Sequence, residues 1–256
     1  MLLGIDHLVI AVRDPVAAAT DLEATLGLAF TGGGRHDGRG TYNRLAFLGD
    51  TFLELIGVED RALLVAAVGF PVSHASLALL DAGHEGLATF ALATDDAAAE
   101  VARLRALGSV IGDAVAGSRM RPDGELVRWT TAFPALGPGE PPFLIEHEPA
   151  GSEWGPEVRA ARAGFGHPVG GAVRLRTLTL PVADPVLTAE GYRATLGIPF
   201  DAEGTDRRST VADQVIVLSP AGGPQTVDLE VEPGTPPLDE VRFGIRWRRV
   251  TRGDVG

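Results

Sequence analysis

Two ionisable residues stand in strand-like apolar runs, and their types could do chemistry together. His7 lies in Ile5-Asp6-His7-Leu8-Val9-Ile10-Ala11-Val12, and Glu54 in Phe52-Leu53-Glu54-Leu55-Ile56. Strand alternation puts Ile5, His7, Val9 and Ala11 on one face, and Phe52, Glu54 and Ile56 on one face of the second run. An imidazole and a carboxylate among apolar neighbours cost free energy unless they are paired, hydrogen-bonded or ligating an ion. Taken alone, each is as well explained as a satisfied core group; taken together, they suggest a site.

Other residues widen the choice. His36 follows three glycines and Arg35, where it is either a solvated turn residue or a group that meets a substrate. Asn43 falls mid-strand, where asparagine is depleted, and so either hydrogen-bonds into a cleft or faces water. Arg119 and Arg121 flank Met120 before the turn signal Pro122-Asp123-Gly124. Arginine's planar fork suits a carboxylate or enediolate, and the alternative is pairing with surface acids. Trp129 reads as core or as a ligand platform.

Composition removes several classes. The chain has 256 residues, 45% of them hydrophobic and 22% charged, and a formal net charge of -12. That balance argues against nucleic acid, which attracts surplus cations. Every basic residue is arginine, so lysine Schiff-base chemistry is absent, and with 0 cysteines so are thiol nucleophiles, disulfides and zinc–thiolate sites. An acidic protein repels anions at long range, so a small anionic ligand would need a local cation such as Arg119 or Arg121. The N-terminal run carries no signal-peptide pattern, and no apolar stretch approaches the ~18 residues of a membrane helix. The expectation is a cytoplasmic protein with no membrane association.

The elements that must position these residues recur. Residues 5–12 read as a strand. Asp14 is an N-cap signal, Pro15 a first helical position and Gly27 a stop. Two strands follow, Tyr42 to Leu48 and Thr51 to Ile56, joined at Gly49-Asp50. With Leu28 to Thr31 as a short strand, and Gly32-Gly33-Gly34 as a turn, the unit is β-α-β-β-β. Residues 182–200 match residues 12–30 at 10 of 19 positions without a gap, an offset of 170. A weaker copy runs from Leu87 through a helix at Ala97 to Leu107 and strands at Val127 to Phe133 and Pro142 to His147. Such repeats decide architecture. Three copies are expected, with Val241 to Trp247 opening a remnant fourth. The predicted fold is α+β, with repeated βαβββ units forming a curved mixed sheet around a cleft. Residues 1–150 form the paired units, 151–170 a connector, and 171–256 a third unit with an extra C-terminal strand. That third unit either lengthens the sheet or pairs with its copy in a homodimer.

This arrangement resembles the vicinal oxygen chelate superfamily, and within it the glyoxalase-like domain subgroup. The resemblance is carried by Asp6-His7-Leu8-Val9, Gly33-Gly34-Arg35-His36, Gly40-Thr41-Tyr42-Asn43, Phe52-Leu53-Glu54-Leu55, Arg119 to Gly124, Trp129, Pro142 to Glu146 and His167-Pro168. It implies that the first strand of a unit supplies a histidine and the last a glutamate to a divalent cation: Fe, Mn, Co, Ni or Zn. Repeat alignment puts Thr89 and Thr177 where His7 stands, so the four-ligand set of metal-dependent relatives is incomplete. Glu146 or His147, on opposite faces of one strand, could supply a third ligand; matching Leu144-Ile145-Glu146 to Phe52-Leu53-Glu54 favours Glu146. The expected metal site is therefore His7, Glu54 and Glu146, completed by water or His36, with Glu146 also moving a proton. His36, Asn43, Arg119, Arg121 and Trp129 are the expected ligand contacts. Glu230 is taken as the third unit's counterpart of Glu54. Two functions follow from the resemblance: a metal-dependent isomerase, epimerase or lyase acting on a small carbonyl compound with vicinal oxygens, or a metal-free small-molecule sequestering protein.

Overall fold

The computed structural model describes residues 1–36, 38–67, 69, 71–121, 123–134 and 141–251. Pro122, part of the expected Pro-Asp-Gly turn, lies outside them. The first unit is β1 (Leu2–Ala11), α1 (Pro15–Leu26), β2 (Gly32–His36), β3 (Thr41–Leu48) and β4 (Thr51–Val58). Two helices follow, α2 (Arg61–Ala66) and α3 (Pro71–Asp81). The second unit is β5 (Gly86–Thr94), α4 (Ala97–Ala106), β6 (Val115–Met120), β7 (Leu126–Ala132) and β8 (Phe143–His147). Helices α5 (Gly151–Trp154) and α6 (Pro156–Ala163) fill the expected connector. The third unit is β9 (Arg174–Val182), α7 (Pro185–Leu196), β10 (Asp201–Glu203), β11 (Asp206–Val211) and β12 (Gln214–Pro220). Three strands end the fold: β13 (Gln225–Glu230), β14 (Asp239–Arg242) and β15 (Ile245–Val250).

Among the described residues these strands form two sheets. The first runs β2-β3-β4-β1-β5-β8-β7-β6 and the second β10-β11-β12-β9-β13-β15-β14. Each joins two units through an antiparallel centre: β1 with β5, and β9 with β13. A fourth unit is therefore present without its helix. It opens at Gln225 rather than Val241, because β13 takes the place beside β9 that β5 takes beside β1. Parallel pairing sets Val9 opposite Glu54 and Thr179 opposite Val217. The third unit's counterpart of Glu54 is thus Val217, and Glu230 belongs to the opening strand of the fourth unit.

The repeated sequence is explained by repeated helix ends. Asp14 accepts from the backbone N–H groups of Val16 and Ala17, and Asp184 from those of Val186 and Leu187. Such a cap contributes about 1 kcal/mol. Gly27 and Gly197 close their helices at φ 63° and 67°, in the left-handed region that glycine occupies without strain. The triple glycine lies in β2 rather than in a turn. A Cβ on Gly33 would meet the Asn43 carbonyl oxygen at 2.3 Å, so only glycine lets β2 approach β3 there.

The helix-bearing faces of both sheets meet in one core. Leu22 and Leu26 of α1, Leu104 of α4 and Tyr192 and Leu196 of α7 are buried there with Ile10, Leu178 and Ile216. Polar ties lock the two halves: Gln214 accepts from Ile5 N and donates to Thr51 Oγ1, and Ser109 Oγ donates to Thr195 O at 2.7 Å. The other face of the first sheet is left to form a cleft. There α3 packs on β1, β4 and β5, and α6 is pinned by Arg162, whose guanidinium lies 3.6 Å from the centre of the Phe47 ring.

His167 is structural. Its Nδ1 accepts from Ala29 N at 3.1 Å and its Nε2–H donates to Phe47 O at 3.0 Å, which fixes a neutral ring. Burial lowers its pKa from 6.5, against a smaller opposing effect from the Phe47 bond. A depressed folded value means that this contribution is whole above 6.5 and is lost as pH falls through the lowered value. Unfolding free energy measured by urea titration between pH 7 and 5 is expected to fall more steeply in the wild type than in His167→Gln, by at most about 1.4 kcal/mol per pH unit. Parallel slopes would contradict this assignment.

Candidate functional site

A break in strand alternation builds the site. Along β1 and β5, Ile5 pairs with Leu92 and His7 with Ala91, so Asp6 is an extra residue in a β-bulge. Bulges re-aim side chains. Here the bulge turns Asp6 toward the side chains on either side of it. Its Oδ1 accepts from His7 Nδ1 at 2.6 Å and from His147 Nε2 at 3.1 Å. Asp6 is 4% exposed. Burial by itself raises its pKa, but the charges and hydrogen bonds of His147 and then His7 outweigh it and hold the carboxyl well below the usual carboxylate range. His7 stacks on Phe52 with ring centres 4.5 Å apart, and His147 on Trp154 at 3.6 Å.

Glu54 faces this triad. Its Oε2 lies 3.7 Å from His7 Nε2, and its Oε1 accepts from Asn43 Nδ2 at 2.6 Å. Asn43 is oriented by Gly34 N, which donates to Asn43 Oδ1 at 2.9 Å. Its Nδ2 also donates to His36 Nε2 at 3.1 Å, while His36 Nδ1 lies 2.8 Å from Thr41 Oγ1. Together these side chains form the polar end of a cavity of about 350 Å³. Its walls include Val127, Trp129, Phe133, Phe143, Ile145 and Trp154, and Pro71 and Val72 of α3 close one side. Arg39 also lines it, with its guanidinium 5.5 Å from the centre of the Trp129 ring and Nη2 reaching Ser118 O at 3.4 Å. Burial lowers the Arg39 pKa, against the charge of Glu54.

The structure thus brings His7, Glu54, Asn43, His36, Trp129 and Arg119 to one cavity. Arg119 arrives already paired: its guanidinium donates to the buried carboxylate of Glu153, which also accepts from Arg121 at 2.8 Å. Arg121 is not in the cavity wall. It binds Asp123 and Glu153 on the outer side of that pair.

Glu146 is placed elsewhere, which corrects the expected metal and catalytic role. The parallel pairing of β5 with β8 sets Ala91 opposite Phe143, as His7 stands opposite Phe52. The match to Phe52-Leu53-Glu54 is therefore Phe143-Leu144-Ile145, one residue earlier than the sequence suggests. Phe143, Ile145 and His147 face the cavity, whereas Glu146 Oε2 accepts from Ala97 N at 2.9 Å at the start of α4. By the same pairing the counterpart of His7 is Ala91, not Thr89.

The cavity residues do not fit a metal shell of the expected kind. The four positions related by the internal repeat hold His7, Glu54, Ala91 and Ile145. Glu54 Oε1 and His36 Nε2 are both occupied by Asn43. Among the described residues, no group of three or more His, Cys, Asp or Glu side chains is arranged to hold an ion.

Asp6, Arg39 and Trp154 were not among the expected site residues, and His147 stood there only as the alternative to Glu146. Asp6 was hidden by the bulge, and Trp154 by its place in a segment that reads as a connector. A usable signal was present for His147: it is two residues beyond Ile145 and so on the same face.

The profile of the glyoxalase-like domain family matches residues 5–196. No curated protein matches the chain in sequence. The crystal structure of a hypothetical protein from Staphylococcus aureus superposes with a TM-score of 0.79 at 16% identity, covering 96% of this chain and 98% of the other. A methylmalonyl-CoA epimerase from Mycobacterium tuberculosis aligns over 59% of this chain and 91% of its own, with a TM-score of 0.42 and 21% identity. One from Streptomyces coelicolor covers 57% and 98%, with a TM-score of 0.41 and 24% identity. The first match shows the fold; the epimerases are more distant.

The Asp6 contacts have a measurable consequence. Hydrogen bonds to a buried charge contribute about 1.5–3 kcal/mol each, so Asp6→Asn is expected to lower the unfolding free energy by about 2–3 kcal/mol in urea titration. His147→Gln, whose amide can still donate to Asp6, is expected to lose less. An unchanged midpoint in Asp6→Asn would show that the triad contributes nothing to the fold.

Proposed function

The chain belongs to the glyoxalase-like domain family of the vicinal oxygen chelate superfamily, and from that premise we propose that its first sheet binds a small, mostly apolar carbonyl compound and moves a proton on it without a resident metal ion. The observation that carries this reading is the buried Asp6–His7 hydrogen bond of 2.6 Å, with the other ring nitrogen of His7 turned toward Glu54 at 3.7 Å. Glu54 Oε2 takes a proton from the carbon beside the carbonyl. The electron pair moves to the carbonyl oxygen, Glu54 returns the proton to that oxygen or to the carbon, and His7 Nε2 accepts a hydrogen bond from the hydroxyl so formed. Asp6 keeps the opposite nitrogen protonated and the ring oriented. Positioned acid and base groups of this kind contribute about 10²–10⁴-fold in rate. The aromatic walls keep water from the pair. Isomerisation, epimerisation and elimination all begin with this step.

A second reading, sequestration without turnover, is favoured by Ala91 and Ile145, which stand in the second unit where the first has His7 and Glu54. Glu54→Gln separates the two. A sequestering protein keeps its ligand in that variant, whereas an enzyme loses exchange of the ligand's carbon-bound proton with solvent deuterium.

Metal analysis tests the first reading. Protein purified without chelator or nickel affinity is expected to hold far less than one equivalent of Fe, Mn, Co, Ni or Zn, with no change in His7→Ala. One equivalent in the wild type, lost in His7→Ala, would contradict it.

A further inference from the structure

The cavity has a second polar feature besides Glu54 and the histidines: the N-terminus of α3 together with the Ser73 hydroxyl. We infer that it holds a carboxylate of the ligand, so that the substrate is a small oxo acid with an apolar body. This inference rests on the reading above, that the first sheet presents a carbonyl compound to Glu54. Pro71, Val72 and Ser73 open α3, a helix of 11 residues, and all three line the cavity. Pro71 has no N–H, so the first-turn groups without an intrahelical acceptor are those of Val72 and Ser73. Such donors, with the helix dipole behind them, favour a negative group. The first turn of α3 carries no acidic residue to supply one.

Ser73 turns this helix end into a site. It is only 4% exposed, yet its hydroxyl has no hydrogen-bond partner among the described residues. A buried hydroxyl left unanswered costs free energy, and an acceptor in the cavity answers it. A carboxylate offers two acceptor oxygens and no donor, so it matches the hydroxyl and the two N–H groups together. The charge of the wall does not oppose it, because the lining carboxylates Glu54 and Glu153 are offset by the lining guanidiniums Arg39 and Arg119. Packing fixes the span. Val72 packs with Val9 and Ile56, which lie two residues along their strands from His7 and Glu54. Two strand residues cover about 6.6 Å, so a short carbon linker, not a direct bond, separates the ligand's carboxylate from its carbonyl. The cavity of about 350 Å³, walled by Trp129, Phe133 and Phe143, admits an aromatic ring on the far side of that carbonyl.

Two probes of one shape test this: 4-oxo-4-phenylbutanoate and 4-methyl-1-phenylpentan-1-one, in which two methyl groups replace the carboxylate oxygens. Binding to the full chain is read by equilibrium dialysis at pH 7 with chelator present. The ketone leaves the Ser73 hydroxyl and the helix N–H groups unmatched, so the acid is expected to bind at least about tenfold more tightly. Ser73→Ala should cut that ratio about fivefold or more by weakening the acid alone. In the wild type, the backbone amide protons of Val72 and Ser73 should move downfield with the acid and stay in place with the ketone. That readout decides even where the variant does not fold. Equal or tighter binding of the ketone, an acid preference that survives Ser73→Ala, or amides that the acid leaves unmoved each overturns the inference and leaves the Glu54 reading standing. Binding of neither probe overturns the carbonyl-binding cleft and this inference with it.

Discussion

The site depends on one carboxylate held where a regular strand would not hold it. Asp6 is the additional residue of a bulge at the centre of the first sheet. From there it binds a histidine on its own strand and another from β8, two strands away across β5. Leaving so buried a charge unpaired would be costly. The two imidazole N–H donors make it tolerable, and in return it fixes which nitrogen of each ring is free. The orientation of His7 toward Glu54, the stacking of His147 on Trp154 and the shape of the cavity's polar end all follow from that contact.

The same bulge recurs without the chemistry. Arg176 is the additional residue where β9 pairs with β13, at the offset of 170 from Asp6. It donates to Asp213 O and lies 3.9 Å from Glu230. Thr177 and Val217 replace His7 and Glu54, and Asp228 is held by Arg248 at 2.7 and 2.8 Å. The repeat therefore preserves backbone geometry in both sheets, while the reactive side chains are confined to the first. The second sheet covers the helices from the far side and supplies ties such as Gln214.

Much of the fold was legible because helix caps and strand patterns are local. Asp14 with Gly27, and Asp184 with Gly197, mark the same helix twice, and the offset between them reveals the repeat. His7, Glu54 and Asn43 were legible because polar groups inside apolar strands need a partner. The remainder depended on register, which sequence leaves loose by one residue. Strict alternation put Asp6 on the face opposite His7, and a one-residue slip exchanged Ile145 and His147 for Glu146. The edge strand β6 has little apolar alternation: Val115 and Met120 are exposed, and the largely covered Arg119 is paired with Glu153. Helix α3 and Trp154 reach the cleft from segments between repeats, where periodicity carries no information about what they cover.

The central claim is that Asp6, rather than a metal ion, sets the state of His7. Nitrogen-15 spectra of the histidine side chains test it directly, with His7→Gln and His147→Gln used for assignment. The expected spectrum, unchanged by chelator, has His7 protonated at Nδ1 with a far-downfield proton, and His147 protonated at Nε2; Asp6→Asn removes the downfield signal. A His7 ring with a bare Nδ1, or His7 signals that shift when bound metal is stripped, would contradict the account.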